Sequence, residues 1–166
     1  MAVFDRGRSN LQRGAEMEAM ERFRLTGRVA VVTGGSMGLG RAMAGGLAEA
    51  GARVAVVSRT AKRIEEVAAE IVRKGGEAIA VAADVTREDD IEGMMARVCE
   101  EFGTLDILVN NAGIGGSRKS VSLGTEEWDR MMNTNARSVF LASRAAGRIM
   151  IRQKRGKIIN VSSVLG

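Results

Sequence analysis

Five short runs of β-branched and small apolar residues alternate with segments of helical spacing, and this alternation constrains the chain more than any other feature. The runs fall at 29–33, 53–57, 78–81, 105–109 and 157–161. Nearly unbroken apolar runs of this length read as parallel strands covered on both faces, because a strand with one wet face would alternate. Between them, Ile64, Val67, Ala68, Ile71 and Val72 recur at helical spacing, as do Ile91, Met94, Met95, Val98, Cys99 and Phe102. Thr60 stands where the first of these helices wants an N-cap, and Thr86 with Asp89 resembles a capping box for the second. Gly103 is placed to close that second helix. A last helix is expected to begin after Thr125, with Glu126 and Glu127 at the positive end of its dipole. It should run unbroken through Trp128, Met131, Met132, Asn135, Val139 and Ala142 to about Met150. Right-handed crossovers then lay the strands in a doubly wound, Rossmann-like parallel sheet of order 3-2-1-4-5, an α/β fold over residues 25–166. Residues 1–24 show no clear periodicity and read as a tail, with a short helix around 15–23.

The first strand runs directly into Thr33-Gly34-Gly35-Ser36-Met37-Gly38-Leu39-Gly40, and a helix follows at once. Glycines at such a turn let the backbone approach a pyrophosphate, and the helix N-terminus offers that anion free N–H groups and a positive dipole. A plain tight turn would also use glycines, but the position on the first strand of an α/β alternation favours a dinucleotide. The spacing is T-G-x-x-x-G-x-G, which is neither the G-x-G-x-x-G of many dinucleotide folds nor a P-loop.

Composition narrows the chemistry. There is no His, which excludes His-based catalysis and His metal ligation, and the single Cys99 excludes an internal disulfide. A net charge of +5 would permit a polyanionic partner, but the 25 basic residues are spread among 20 acidic ones. Only Arg152, Lys154, Arg155 and Lys157 form a local run, and these suit the negative end of the last helix better than a nucleic acid. No apolar stretch approaches the ~20 residues of a membrane span, and the first 24 residues lack the apolar core of a signal peptide, so a cytoplasmic protein is expected. The ten methionines are expected mostly as core filler, and the lone Trp128 as a packing residue.

Four ordered motifs resemble the short-chain dehydrogenase/reductase family. They are the glycine turn, Asp84-Val85 after the third strand, Asn110-Asn111-Ala112-Gly113 after the fourth and Asn160-Val161-Ser162-Ser163 after the fifth. The resemblance spans about residues 25–166 and implies an oxidoreductase acting on a small ketone or secondary alcohol. It places the cofactor contacts on Thr33, Gly34, Ser36, Met37, Gly38, Leu39, Gly40, Ser58, Arg59, Asp84, Val85, Asn111, Ala112 and Gly113. In the family pattern Asp84 meets the adenine, Asn110 braces the central strand, Asn135 holds a water of a proton relay and Ser163 donates to the substrate carbonyl. Ser162 would be its structural neighbour, and Gly115-Gly116-Ser117-Arg118-Lys119 resembles the variable loop beside the substrate.

The second strand ends in Ser58-Arg59 with no carboxylate for a ribose 2′-hydroxyl. Arg59 can instead pair bidentately with a 2′-phosphate, which favours NADP(H) over NAD(H). The family's proton donor is a Tyr, assisted by a Lys four residues later, and both follow the Ser. These 166 residues contain no Tyr, so a chain lacking the acid/base pair and the family's last strands is expected to be inactive alone. Its fifth strand would then be an exposed edge and its last helix, which helps form the oligomer interface of the family, an exposed apolar face. A non-catalytic dinucleotide-binding module remains the alternative. A methyltransferase, which also opens with a glycine turn, is disfavoured by the N-N-A-G segment and the basic Ser58-Arg59 corner.

Overall fold

The structure, a computed structural model, describes residues 21–116 and 119–163. Most of the 15–23 helix, Ser117-Arg118 of the loop after the fourth strand, and the last three residues lie outside the described residues. The elements are β1 (Val29–Thr33), α1 (Gly38–Glu49), β2 (Arg53–Ser58), α2 (Ala61–Arg73), β3 (Glu77–Ala82), α3 (Glu88–Phe102), β4 (Ile107–Asn110), α4 (Thr125–Met132), α5 (Ser138–Arg152) and β5 (Lys157–Asn160). A 3₁₀ turn covers Ser120–Ser122, and a π-helical turn, Asn133–Arg137, joins α4 to α5.

All five strands are parallel and lie in the order β3-β2-β1-β4-β5. Alternation along β1 sends its side chains to two separate cores. Val29 and Val31 join Ile91, Met94 and Val98 of α3 and Leu141, Ala142 and Ala145 of α5. Ala30 and Val32 join Ala44 and Ala48 of α1 and Ile64, Val67 and Ile71 of α2. Every residue of β1 is buried, so this strand carries the two-sided layering.

Below the sheet, at the N-terminal ends of the strands, Asp106 fastens three segments. Its carboxylate is almost fully buried and accepts the Val29 N–H at 3.0 Å, Arg28 at 3.1 Å and Arg155 at 2.8 Å. Burial pushes its pKa up, but the hydrogen bonds from Val29, Arg155 and Arg28 outweigh this and hold it below the ordinary Asp value.

Several local expectations meet competition from neighbours. Thr60 occupies the N-cap of α2 but its side chain caps nothing. The N-cap of α3 is Arg87, because the Thr86 hydroxyl is engaged by Asp84 and so the Thr86–Asp89 box does not form. Gly103 does close α3, in the left-handed region at φ 77° with its N–H on the Cys99 carbonyl. The expected unbroken last helix is divided by the π-helical turn, which shifts the register of everything beyond Met132. Trp128, on α4 ahead of that turn, is not a core residue either: it is 52% exposed, as Phe140 on α5 is at 59%. All four residues of β5, at the end of the sheet, are exposed, in keeping with the exposed edge expected of the fifth strand. Among the described residues no helix is long and apolar enough to cross a membrane.

Candidate dinucleotide site

The chain leaves β1 for β2 on one side and reaches β4 on the other, so a crevice opens above the carboxyl ends of β1 and β4. The turn from β1 into α1 forms its floor. Gly34 takes φ 65° and Gly38 φ 53°, conformations that a side chain would disfavour. Gly40 is constrained differently, since a Cβ there would stand 2.3 Å from the Gly34 carbonyl oxygen and 2.5 Å from Asn111 Nδ2. Only glycine lets α1 start this close to the turn. No side chain caps α1, so its first-turn N–H groups are left to the crevice.

Two side chains hold that floor from beneath. The buried Thr33 hydroxyl donates to the Val109 carbonyl at 3.2 Å and accepts the N–H groups of Asn111 at 3.0 Å and Ala112 at 3.1 Å. The Asn111 amide donates back to the carbonyls of Thr33 at 3.0 Å and Gly34 at 3.3 Å. Asn110, facing the other way, donates to Ser143 Oγ at 3.0 Å and Asn160 Oδ1 at 2.9 Å, tying β4 to α5 and β5. The two consecutive asparagines therefore brace opposite sides of the switch point.

The crevice has a volume of about 360 Å³. Of the fourteen sequence-derived cofactor residues, Gly34, Ser36, Met37, Leu39, Gly40, Ser58, Arg59, Asp84, Val85, Asn111, Ala112 and Gly113 line it. Thr33 lies below the lining, and Gly38 borders a larger groove of about 690 Å³ between α1 and α2, where a glycine-rich helix surface meets Val67 and Ile71. That groove runs along the helices away from the strand ends, and the crevice is where the polar groups converge. Ser58 Oγ accepts the Thr60 N–H at 3.3 Å, while Arg59 stands exposed at the rim. Asp84 accepts both the N–H and the hydroxyl of Thr86, at 3.0 and 2.8 Å. Burial pushes its pKa up, but these bonds and the charges of Arg59 and Arg87 bring it below the ordinary Asp value, so it faces the crevice as a carboxylate.

Asn135 sits inside the π-helical turn. Its amide closes a two-way bond on one residue, Oδ1 accepting the Ile114 N–H at 2.9 Å and Nδ2 donating to the Ile114 carbonyl at 2.8 Å. This is the tie to neighbouring backbone that a polar residue on an apolar stripe requires. It also pins the segment after Gly113 beside the crevice, where a Cβ on Gly113 would come 3.4 Å from Asn135 Oδ1. Ser163 lies three residues beyond β5 on an exposed stretch and does not line the crevice.

Six lining residues were not named as cofactor contacts from the sequence: Thr60, Arg63, Ala83, Thr86, Ile114 and Thr134. Arg63, four residues past Arg59, was readable there. Ile114 was not, because its contribution is backbone. Among the described residues no cluster of His, Cys, Asp or Glu could hold a metal.

A family model described as short chain dehydrogenase matches residues 28–166, covering every element around this crevice. The chain belongs to the short chain dehydrogenase family. Similar members include the 3-oxoacyl-[acyl-carrier-protein] reductase of Synechocystis sp., 40% identical over 143 residues, which are 86% of this chain and 58% of that protein. A 3-oxoacyl-[acyl-carrier-protein] reductase of Staphylococcus aureus is 42% identical over 138 residues, 82% of this chain and 56% of its own. Among solved structures, a metagenomic short-chain oxidoreductase in complex with NADP shares 41% identity and a TM-score of 0.80, over 84% of this chain and 64% of its own. The chain thus spans little more than half the length of the curated relatives it matches.

Proposed function

We propose that this chain is the cofactor-binding part, residues 25–166 with 1–24 as a tail, of an NADP(H)-dependent oxidoreductase acting on a small ketone or secondary alcohol. The observation that carries the reading is the rim at the end of β2, where Ser58 and the exposed Arg59 stand and no carboxylate does. A ribose 2′-hydroxyl wants an acceptor there, whereas a 2′-phosphate wants a guanidinium and a hydroxyl donor. The similar oxidoreductase solved with NADP supports the same reading, and the two 3-oxoacyl reductases support a ketone substrate.

In this reading the uncapped start of α1 and the turn at Gly34, Ser36, Met37, Gly38, Leu39 and Gly40 grip the pyrophosphate, with Thr33 acting from below. Asp84 and Val85 face the adenine, and Asn111, Ala112 and Gly113 border the central part of the cofactor. When bound, the dinucleotide supplies the hydride. Arrival of hydride at a carbonyl leaves charge on oxygen, which Ser163 polarises and a proton must quench. Asn135 would hold water on the proton path, but these residues include no Tyr to give the proton. The chain alone therefore binds the cofactor without turnover. In the complete protein we place the activity in the cytoplasm and the oligomer contact on the apolar α4–α5 face.

Titration with NADPH and NADH, followed by nicotinamide fluorescence, tests the assignment. Arg59→Asp should shift the preference toward NADH by about tenfold or more. An unchanged NADPH/NADH ratio would sink the NADP(H) assignment. Binding without turnover in the intact protein from its native source would favour a non-catalytic dinucleotide module.

A further inference from the structure

We propose that Arg63 is a second arm of the grip on the adenosine 2′-phosphate, so that cofactor selection is made by two guanidiniums and not by Arg59 alone. This rests on the NADP(H) reading above. Arg63 is in the first turn of α2, where its N–H donates to the Thr60 carbonyl at 3.2 Å. It lines the crevice together with Ser36, Ser58 and Arg59, and also the adjoining recess of about 220 Å³ beneath Met37.

One carboxylate, Glu66, lines the same recess, but it forms no ion pair with Arg63 among the described residues. Arg41, which shares the recess, is held by Glu70, and Arg87 across the crevice is held by Asp90. Glu70 is itself kept at a pKa of about 2 by the Lys74 and Arg41 hydrogen bonds, so it stays charged and keeps Arg41 engaged. Arg63 makes no ion pair among the described residues. Its position is also unfavourable for the helix: Lys62 and Arg63 sit at the positive end of α2, and its first turn holds no acidic residue. Helix stability therefore does not account for the cation, whereas an anion in the crevice would.

Charge balance points to the same anion. A phosphate monoester carries about 1.5 to 2 negative charges near neutral pH, more than one guanidinium neutralises. The glycine turn adds no cation, since the residue facing this corner is Met37. The complement to Arg59 must then come from the start of α2, and Arg63 is the residue of that turn which lines the crevice.

The test compares 2′,5′-ADP with 5′-ADP by calorimetry, on the protein and on its Arg63→Gln, Arg63→Lys and Arg73→Gln variants. Arg73, at the far end of α2, controls for net charge and helix stability. Arg63→Gln should weaken 2′,5′-ADP by about tenfold while leaving 5′-ADP unchanged, and Arg63→Lys should restore part of the loss. If the unaltered protein prefers 2′,5′-ADP and Arg63→Gln keeps that preference, or loses no more than Arg73→Gln, the role of Arg63 is overturned while NADP(H) selection stands. If the unaltered protein does not distinguish the two nucleotides, both readings fall.

Discussion

The middle of this sheet and its β5 flank are built to different standards. Around β1 and β4 the apolar side chains are buried, and the polar ones are engaged: Thr33 and Asn111 by backbone groups, Asp106 by the Val29 N–H and the side chains of Arg28 and Arg155. On the flank, Trp128, Met132, Phe140, Ile158 and Ile159 all remain exposed. Hydrophobic burial is the main driving force for folding, so the stability of the described chain is concentrated in the middle. The flank adds connections, such as Asn110 to Asn160, but little buried apolar area. The lesson is that the crevice floor depends on the self-sufficient region. The π-helical turn and Ser163, by contrast, belong to the region with least packing of its own.

Breaking the middle should have the largest effect. Gly40→Ala drives a Cβ to 2.3 Å from a backbone carbonyl that has no room to retreat, and should cost about 3 kcal/mol together with NADPH binding. Thermal melting and nucleotide titration read the two losses, and a variant that melts normally would show that α1 can slide.

Asp106→Asn should cost about 2–3 kcal/mol at neutral pH, because it weakens a buried hub with three donors. The sign of the pH effect is fixed by the depressed carboxyl. Its stabilisation is complete above the unfolded Asp value near ~3.9 and is lost as pH falls through the lower folded value. The acid limb of the stability profile below about pH 4 should therefore be shallower in the Asn variant. A parallel limb would mean that other carboxylates govern acid unfolding.

A smaller and more local change is expected from Asn135→Ala, about 1–2 kcal/mol confined to the segment it pins. The Ile114 amide should exchange with solvent faster while the β1 amides keep their protection. Equal acceleration in both would erase the distinction between the regions.

Smallest in stability is Phe140→Gln, within about 0.5 kcal/mol because the ring is already in water. If the apolar flank drives association, this variant should sediment as a smaller species than the unaltered chain at the same concentration.

What could be read in advance follows the range of the interactions. The strands, their order and the glycine turn were legible, because apolar periodicity and turn chemistry act over a few residues. Gly103 was legible for the same reason. The π-helical turn was not: it accompanies a bond between Asn135 and Ile114, 21 residues earlier, and no local pattern encodes that pairing. Thr86 was misplaced as a cap because Asp84, only two residues back, takes its hydroxyl into a tighter turn. Trp128 was misplaced because amphipathic spacing says which residues share a face, and not whether anything covers that face. For the site, residues that act through side chains could be named, while the bracing bonds of Thr33 and Asn111 join segments nearly 80 residues apart and were not legible.

That bracing has a consequence in time. With the Thr33 hydroxyl committed to three backbone partners and the Asn111 amide to two carbonyls, the floor of the crevice is held in shape by the chain's own hydrogen bonds. A phosphate arriving at a floor braced in this way has little chain entropy to remove. Differences in affinity among nucleotides should then be written in how long each one stays, with arrival nearly the same for all.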